Sequence, residues 1–243
     1  EKTLVTVAQS NMISYEKSQL ALKQAELALK QAETSLATAN TRYANGLVTQ
    51  VDVLNAQEAR MTAERNRESA RSAIENVRQK LLVMLGWRYD AQPEIRKLPS
   101  SDLNRILGMD PQADKAAAVE NNYTLKVNKK KLANAGSENT IDSLNKTIAD
   151  NEQKIGSSLV TNYQNVLTAK LALDQAAAEL ELENRNLRSA EVNFQQGNIS
   201  RTELENQQYA VQNKQLALEI ADLNLFQAME TYDWCVKGLA STT

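Results

Sequence analysis

Two stretches, RYANGLVTQVDVLN at residues 42–55 and VNFQQGNISRTELEN at residues 192–206, decide the fold. Each interrupts a long run of helix-forming residues at a glycine, Gly46 or Gly197. In each, an apolar residue follows two places later, a hydroxyl three places later, and an acid six places later. Glycine after a last turn ends a helix, and a hydroxyl followed by an acid three residues on begins the next one. Both stretches therefore predict the tip of a helical hairpin, and their repetition predicts that the hairpin is built twice.

Apolar residues recur every seven residues on both sides of each tip. Such a repeat is typical of helices that pack along a shared seam, and alanine in the seam lets the partner helix approach closely. A second row of small residues, Ala21, Ala28 and Ser35, leaves room for a further neighbour beside the first arm. The four seam rows are Leu22, Leu29, Leu36 and Tyr43; Ala56, Ala63, Ala70, Val77 and Met84; Leu173, Leu180, Leu187 and Phe194; and Leu204, Val211, Leu218, Leu225 and Tyr232.

The sequence thus predicts an all-α fold of two long antiparallel coiled-coil hairpins related by an internal repeat. Residues 1–87 form the first hairpin, residues 88–136 a connector with one shorter helix, and residues 137–243 the second hairpin. All three prolines lie in the connector, and its helix is expected from about Lys115 to Ala135. Trp87 and Trp234 close the two return arms, where we expect them to anchor the bundle.

The composition narrows the possible functions. The chain has 28 basic and 30 acidic side chains, a formal net charge of −2 and no histidine. A nucleic-acid or anionic-membrane binder usually shows a basic excess or stripe, and the sequence indicates neither. Histidine, the commonest general base and metal ligand, is absent. The one cysteine, Cys235, lies in an apolar run, which is typical of a small buried residue. We therefore expect no catalytic residue, no metal site, no cofactor and no nucleic-acid partner.

Four segments resemble TolC-type outer-membrane efflux proteins. RYANGLVT, followed by DVLNAQ at residues 52–57, resembles the first hairpin tip of that family, and QGNIS with ELEN, at residues 196–206, resembles the second. NLFQAMETYDW at residues 224–234 is similar to the end of the second repeat, and AVENNYTLK at residues 118–126 to the helix between the copies. The segments follow the family's order, and with the repeat they extend the resemblance over nearly the whole chain.

The resemblance implies a trimer, located in the cell envelope, whose hairpins line a hollow helical tunnel. It also implies that the tips dock the hairpins of a periplasmic adaptor, which in turn binds an inner-membrane pump. The family's pore constriction uses acids just beyond the second tip; Glu203 matches one of them, and Asn206 stands where a second would be. The docking element falls on Gly46, Leu47, Val48 and Thr49 in the first tip and on Gly197, Asn198, Ile199 and Ser200 in the second.

The sequence departs from the family where membrane strands would follow the inter-arm helix. The residues between Ala135 and Ser157 are polar, keep helical spacing and show no alternation of apolar and polar side chains. A strand that spans a membrane needs about 9–11 alternating residues, so no strand pair is expected here. The strands are then either naturally absent or have been removed, and the first copy's equivalent would precede residue 1.

Two functions follow from these patterns. The first is a non-catalytic component of an efflux or export conduit, in which several copies form a helical tunnel and the tips dock a coiled-coil adaptor. The alternative is an elongated coiled-coil envelope scaffold or interaction protein that forms no tunnel. The oligomeric state separates the two, because a tunnel requires a ring of copies.

Overall fold

Long helices, interrupted at glycine turns and in the connector, make up the regular structure of the chain. The computed structural model describes residues 2–239, with side chains from residue 4 onward. The two-hairpin, all-α fold is confirmed, with α1–α2 and α6–α7 as the hairpins, and residues 2–239 contain no strand. The helices are α1 (Lys2–Ala44), α2 (Gln50–Met84), α3 (Asn104–Leu107), α4 (Pro111–Asn121), α5 (Tyr123–Ala133), α6 (Glu138–Gln195) and α7 (Arg201–Trp234), followed by one π-helical turn (Cys235–Leu239).

Contacts within the chain define two compact units, each assembled from separate segments. The tip unit comprises residues 8–98 and 173–221, and therefore includes both hairpin tips. The connector unit comprises the residues up to 7, residues 99–172 and the residues from 222 on. The division of the sequence at residues 87 and 136 stays a prediction, since it follows the repeat rather than these contacts.

In the tip unit, polar contacts connect α2 to α1, α1 to α7, and α7 to α6. Arg60 of α2 pairs with Glu33 of α1 at 4.0 Å, and the Thr34 and Tyr209 hydroxyls lie 2.9 Å apart between α1 and α7. The ammonium group of Lys214 donates to Glu179 at 2.9 Å between α7 and α6. Apolar burial follows the predicted seams at Leu29 and Val211, but α1 also buries a second heptad row, Ile13, Leu20 and Leu27.

The connector unit has the most completely buried core. Ile155, Leu159 and Val166 of α6 are fully buried, as are Leu225 and Met229 of α7. Ala118 of α4, Leu125 of α5 and Tyr232 of α7 are buried with them. Burial of a large apolar side chain stabilises a fold by about 1.5–3 kcal/mol, so these side chains dominate the stability of this unit. The Tyr232 hydroxyl donates to Asp114 Oδ2 at 2.5 Å, and burial together with this carboxylate raises the pKa of Tyr232.

The expectation of one helix from Lys115 to Ala135 is wrong, because the chain breaks at Asn122. Asn122 has an extended backbone (φ −69°, ψ 121°), and its side-chain oxygen accepts a hydrogen bond from the Leu125 N–H at 3.1 Å. Asparagine is a strong N-cap, so it ends α4 and begins α5. Helix α4 also starts earlier, at Pro111, where Asp110 Oδ1 accepts from the Gln112 and Ala113 N–H groups.

The tryptophan at the end of the first return arm does not anchor the bundle. Trp87 is 52% exposed and follows a glycine turn, in which its N–H donates to Leu82 O at 2.9 Å. Trp234 is half-buried at the end of α7. The buried apolar side chains in this part of α2 are Ile74, Leu81 and Leu82.

Polar contacts hold two points of the proline-rich connector outside its buried helices. Arg78 of α2 donates to Ala91 O at 2.6 Å and to Gln92 Oε1 at 2.8 Å. Further along, Arg105 pairs with Glu230 at 2.9 Å and with Asp233 at 2.5 Å, both on α7. These bonds fix a segment whose prolines cannot donate backbone hydrogen bonds.

The C-terminal turn packs on the end of α4. Asn121 Nδ2 donates to Val236 O at 3.3 Å, and Asn122 Nδ2 donates to Gly238 O at 3.4 Å. Cys235 is buried here, and burial raises the pKa of its thiol, as fits a small apolar residue. Within residues 2–239, none of the helices offers an apolar window long enough for a membrane span, and no group of three His, Cys, Asp or Glu side chains is placed to hold a metal ion.

Candidate functional site

The first tip ends α1 with a glycine in the left-handed conformation. Gly46 has φ 72°, and its N–H donates to Tyr43 O at 2.9 Å. The Leu47 N–H reaches back to Arg42 O, also at 2.9 Å. These two bonds form a Schellman motif, which satisfies carbonyls that a helix end otherwise leaves without a partner.

The second tip repeats the same geometry. Gly197 has φ 76°, its N–H donates to Phe194 O at 3.0 Å, and the Asn198 N–H donates to Asn193 O at 2.8 Å. A Cβ built on Gly46 or Gly197 meets no atom within 4 Å. Glycine is therefore required at the tips for its backbone conformation and not for space.

Each tip then begins the next helix with a reciprocal capping box. Thr49 Oγ1 accepts from the Asp52 N–H at 3.3 Å, while Asp52 Oδ2 accepts from the Thr49 N–H at 2.8 Å. In the second tip, Ser200 Oγ accepts from the Glu203 N–H at 3.2 Å, and Glu203 Oε2 accepts from the Ser200 N–H at 2.7 Å. The predicted caps are confirmed, and capping explains why a hydroxyl and an acid stand at these positions.

The capping carboxylates should make the tips sensitive to acid. Hydrogen bonds from Thr49 lower the pKa of Asp52, and the bonds from the Ser200 N–H and hydroxyl lower that of Glu203. A carboxylate whose pKa is lower in the folded chain stabilises the fold fully when the pH is above its pKa in the unfolded chain, about 4. That contribution is lost as the pH falls through the lower pKa of the folded chain. We expect the Thr49 and Ser200 amide resonances to stay constant from pH 7 to 5 and to shift below about pH 4. The Asp52→Asn variant should lose the shift at Thr49 only, and resonances that stay constant down to pH 2.5 would contradict this account.

The apolar tip residues remain unexplained by folding. Leu47 is 66% exposed, although it lies in a turn whose geometry any residue could supply. Val48 and Ile199 are half-buried, and Asn198 is exposed. An exposed apolar side chain at a fixed turn is typical of a surface that another molecule covers.

The first tip carries more exposed apolar surface than sequence reasoning found. Tyr43, Val51 and Leu54 are exposed near Leu47, all within about two helical turns of it. We call Tyr43, Leu47, Val51 and Leu54 the apolar tip cluster. Position for position, the second tip has Phe194, Asn198, Thr202 and Glu205. Comparing the two copies residue by residue would have revealed this difference, since only Phe194 is apolar among the four.

Solved structures share this fold, whereas no protein-family model and no curated protein matches the sequence. The outer-membrane channel OprN is 13% identical over 100% of this chain and 67% of its own, with a TM-score of 0.62. CusC, a transmembrane channel, is 14% identical over 97% of this chain and 79% of its own (TM-score 0.67), and the outer-membrane protein VceC from Vibrio cholerae is 14% identical over 98% and 69% (TM-score 0.57). The resemblance to TolC-type proteins is thereby confirmed at the level of the fold.

Proposed function

We propose that the chain is a passive, non-catalytic component of an export or efflux conduit in the cell envelope. In this proposal several copies, three by the TolC resemblance, surround a helical tunnel, and the hairpin tips dock a coiled-coil adaptor that leads to an inner-membrane pump. The observation that carries the proposal is the geometry of the tips. Each is a Schellman turn followed by a capping box, and in the first tip this geometry holds Leu47 and its neighbours exposed. The fold shared with outer-membrane channels supports it.

The tips suit docking because their shape is fixed before a partner arrives. Two backbone bonds end the helix and two reciprocal bonds start the next one, so little conformational entropy remains to be lost on binding. The four members of the apolar tip cluster offer a patch that a partner helix could bury. Glu203 would face the tunnel near its narrow end, in addition to its role as a cap.

Replacing Leu47 with serine should weaken adaptor binding strongly and leave the fold intact. Leu47 contributes its backbone N–H to the Schellman turn, which serine keeps, and its side chain packs little within the chain. The loss of a central apolar side chain from an interface costs about 2 kcal/mol or more, so we expect at least about 30-fold weaker binding. The measurement is calorimetric titration with the coiled-coil hairpin of the adaptor from the same export system.

The matched control for this experiment is Leu107→Ser. Leu107 is 88% exposed at the end of α3, in the connector unit. This variant should bind the adaptor hairpin like the unmodified chain, and both variants should keep the same helix content by circular dichroism. Equal affinities for all three proteins would exclude docking through Leu47.

The mass of the assembled species distinguishes the conduit from the alternative, a scaffold that forms no tunnel. A conduit component assembles into a closed ring, whereas a scaffold remains a monomer or dimer. Light scattering of the purified chain across a range of concentrations distinguishes the two. A species no larger than a dimer at every concentration, with adaptor binding retained, would favour the scaffold.

A further inference from the structure

We propose that α5 and the groove beside it form a docking surface for an anionic lipid bilayer. Helix α5, YTLKVNKKKLA, contains four lysines and no acid within 11 residues. This concentration contrasts with the chain as a whole, whose net charge is −2. The expectation that the sequence carries no basic stripe is therefore wrong for α5. The total charge still shows no basic excess.

Three of the four lysines are not used to hold the fold. Lys129 pairs with Glu152 of α6 at 3.0 Å, which ties α5 to α6. Lys126, Lys130 and Lys131 are exposed and form no ion pair among the described side chains. Three neighbouring cations without a counter-ion repel one another, so an anionic surface that approaches them gains electrostatic energy.

An open groove of about 860 Å³ adjoins these lysines. Val127, Lys130 and Lys131 line it from α5, and Thr140, Ser143 and Leu144 line it from α6. The acids at this end of α6, Glu138 and Asp142, are not among the residues that line the groove.

The apolar part of this surface favours a bilayer over a nucleic acid. Tyr123 is 77% exposed and lies on the same side of α5 as Val127 and Lys130, at helical spacing. Tyrosine and lysine are the side chains that combine an apolar body with a polar end, which suits the boundary between headgroups and acyl chains. A nucleic acid would use the lysines but would offer nothing to Val127 and Leu144.

Vesicle binding tests the proposal. The full chain should bind phosphatidylcholine vesicles that contain phosphatidylglycerol, and should not bind vesicles of phosphatidylcholine alone. Changing Lys126, Lys130 and Lys131 together to glutamine should weaken binding on the order of a hundredfold, since each lysine near an anionic surface contributes about fivefold. Changing the same three residues to arginine should preserve binding, because the charge is kept.

A second triple variant controls for total charge. Arg71, Lys80 and Arg188 are exposed in the tip unit, and their replacement by glutamine removes the same three charges. This variant should bind vesicles as the unmodified chain does. Equal losses in both glutamine variants would show that only net charge matters and would overturn the proposal.

Two further outcomes would also overturn the proposal. The first is equal binding to both kinds of vesicle. The second is full displacement by glycerophosphate or by single-stranded RNA, which would assign the lysines to a soluble anion or to a nucleic acid. Retained helix content in every variant ensures that a loss of binding reflects the surface and not unfolding.

Discussion

Replacing Gly238 with alanine is expected to lower the free energy of unfolding of the connector unit by about 3 kcal/mol or more. Gly238 has φ 88°, and a Cβ at this position would lie 2.3 Å from both the carbonyl carbon and the oxygen of Asn121, and 2.7 Å from the Asn122 nitrogen. All three are backbone atoms, so no side-chain rotation can relieve the collision. The C-terminal turn must move away from α4 and lose its bonds from Asn121 and Asn122.

Thermal unfolding measures this effect, with Gly86→Ala as the control. Gly86 has a similar φ, 77°, but a Cβ there meets nothing within 4 Å. The control therefore loses only about 1 kcal/mol of stability, because alanine disfavours the left-handed backbone conformation, and its thermal unfolding midpoint should fall by about 3 °C. The unfolding midpoint of the Gly238→Ala variant should fall by about 10 °C. Its amide hydrogen exchange should accelerate most at the start of α5. Equal midpoints would mean that the turn does not depend on this contact.

Local sequence signals predicted the hairpin tips well because every bond there is made between near neighbours. The Schellman glycines and the capping boxes involve residues no more than five apart, so their chemistry can be read from a short stretch. The break at Asn122 uses the same chemistry, an asparagine that caps the following helix. Alanine and lysine on both sides favour helix so strongly that the local pattern predicts one continuous run through the Asn121–Asn122 pair.

Contacts between distant residues could not be predicted in the same way. The heptad rows indicated a seam on α1, but the row that includes Ile13, Leu20 and Leu27 is also buried, because α1 contacts both α2 and α7. Trp87 follows the glycine turn at Gly86, so the heptad pattern of α2 ends before it and does not predict its exposure. The lysines of α5 were hidden by a balanced total charge, and only the groove beside them distinguishes them from an ordinary solvated face.

The apolar tip cluster suggests that the two tips do not contribute equally to docking. Repeated hairpins would be expected to carry equivalent surfaces, yet Leu47, Val51 and Leu54 in the first tip correspond to two polar residues and an acid in the second. Buried apolar side chains dominate the affinity of most interfaces, whereas polar groups at the rim contribute more to specificity. In the proposed conduit, the first tip would then supply most of the affinity for the adaptor.

A double change on α6, Val160→Glu with Leu171→Glu, is expected to abolish the proposed assembly. Val160 is 42% exposed and Leu171 is 68% exposed, and both lie in the connector unit. They are eleven residues apart, which returns to within roughly 20° of the same helix face.

In the proposed ring, this face of α6 would contact a different surface of the next copy. A contact between different surfaces repeats from copy to copy, and it closes into a ring if the rotation allows it. Burying two carboxylates in that contact without partners costs several kcal/mol, so the assembled fraction should fall below about one tenth at a concentration where the unmodified chain is fully assembled. Light scattering reports the mass, and adaptor-hairpin titration reports whether the tips still bind.

The control places the same charges elsewhere. Leu85→Glu with Leu107→Glu adds two carboxylates at exposed apolar positions outside this face of α6. This variant should assemble like the unmodified chain, so that a mass loss in the α6 variant reports the interface and not the added charge. Assembly of the α6 variant at full strength would exclude this face as the contact between copies. Loss of assembly with intact adaptor binding would separate the two parts of the proposed function, because tunnel formation would then depend on α6 while docking depends on the tips alone.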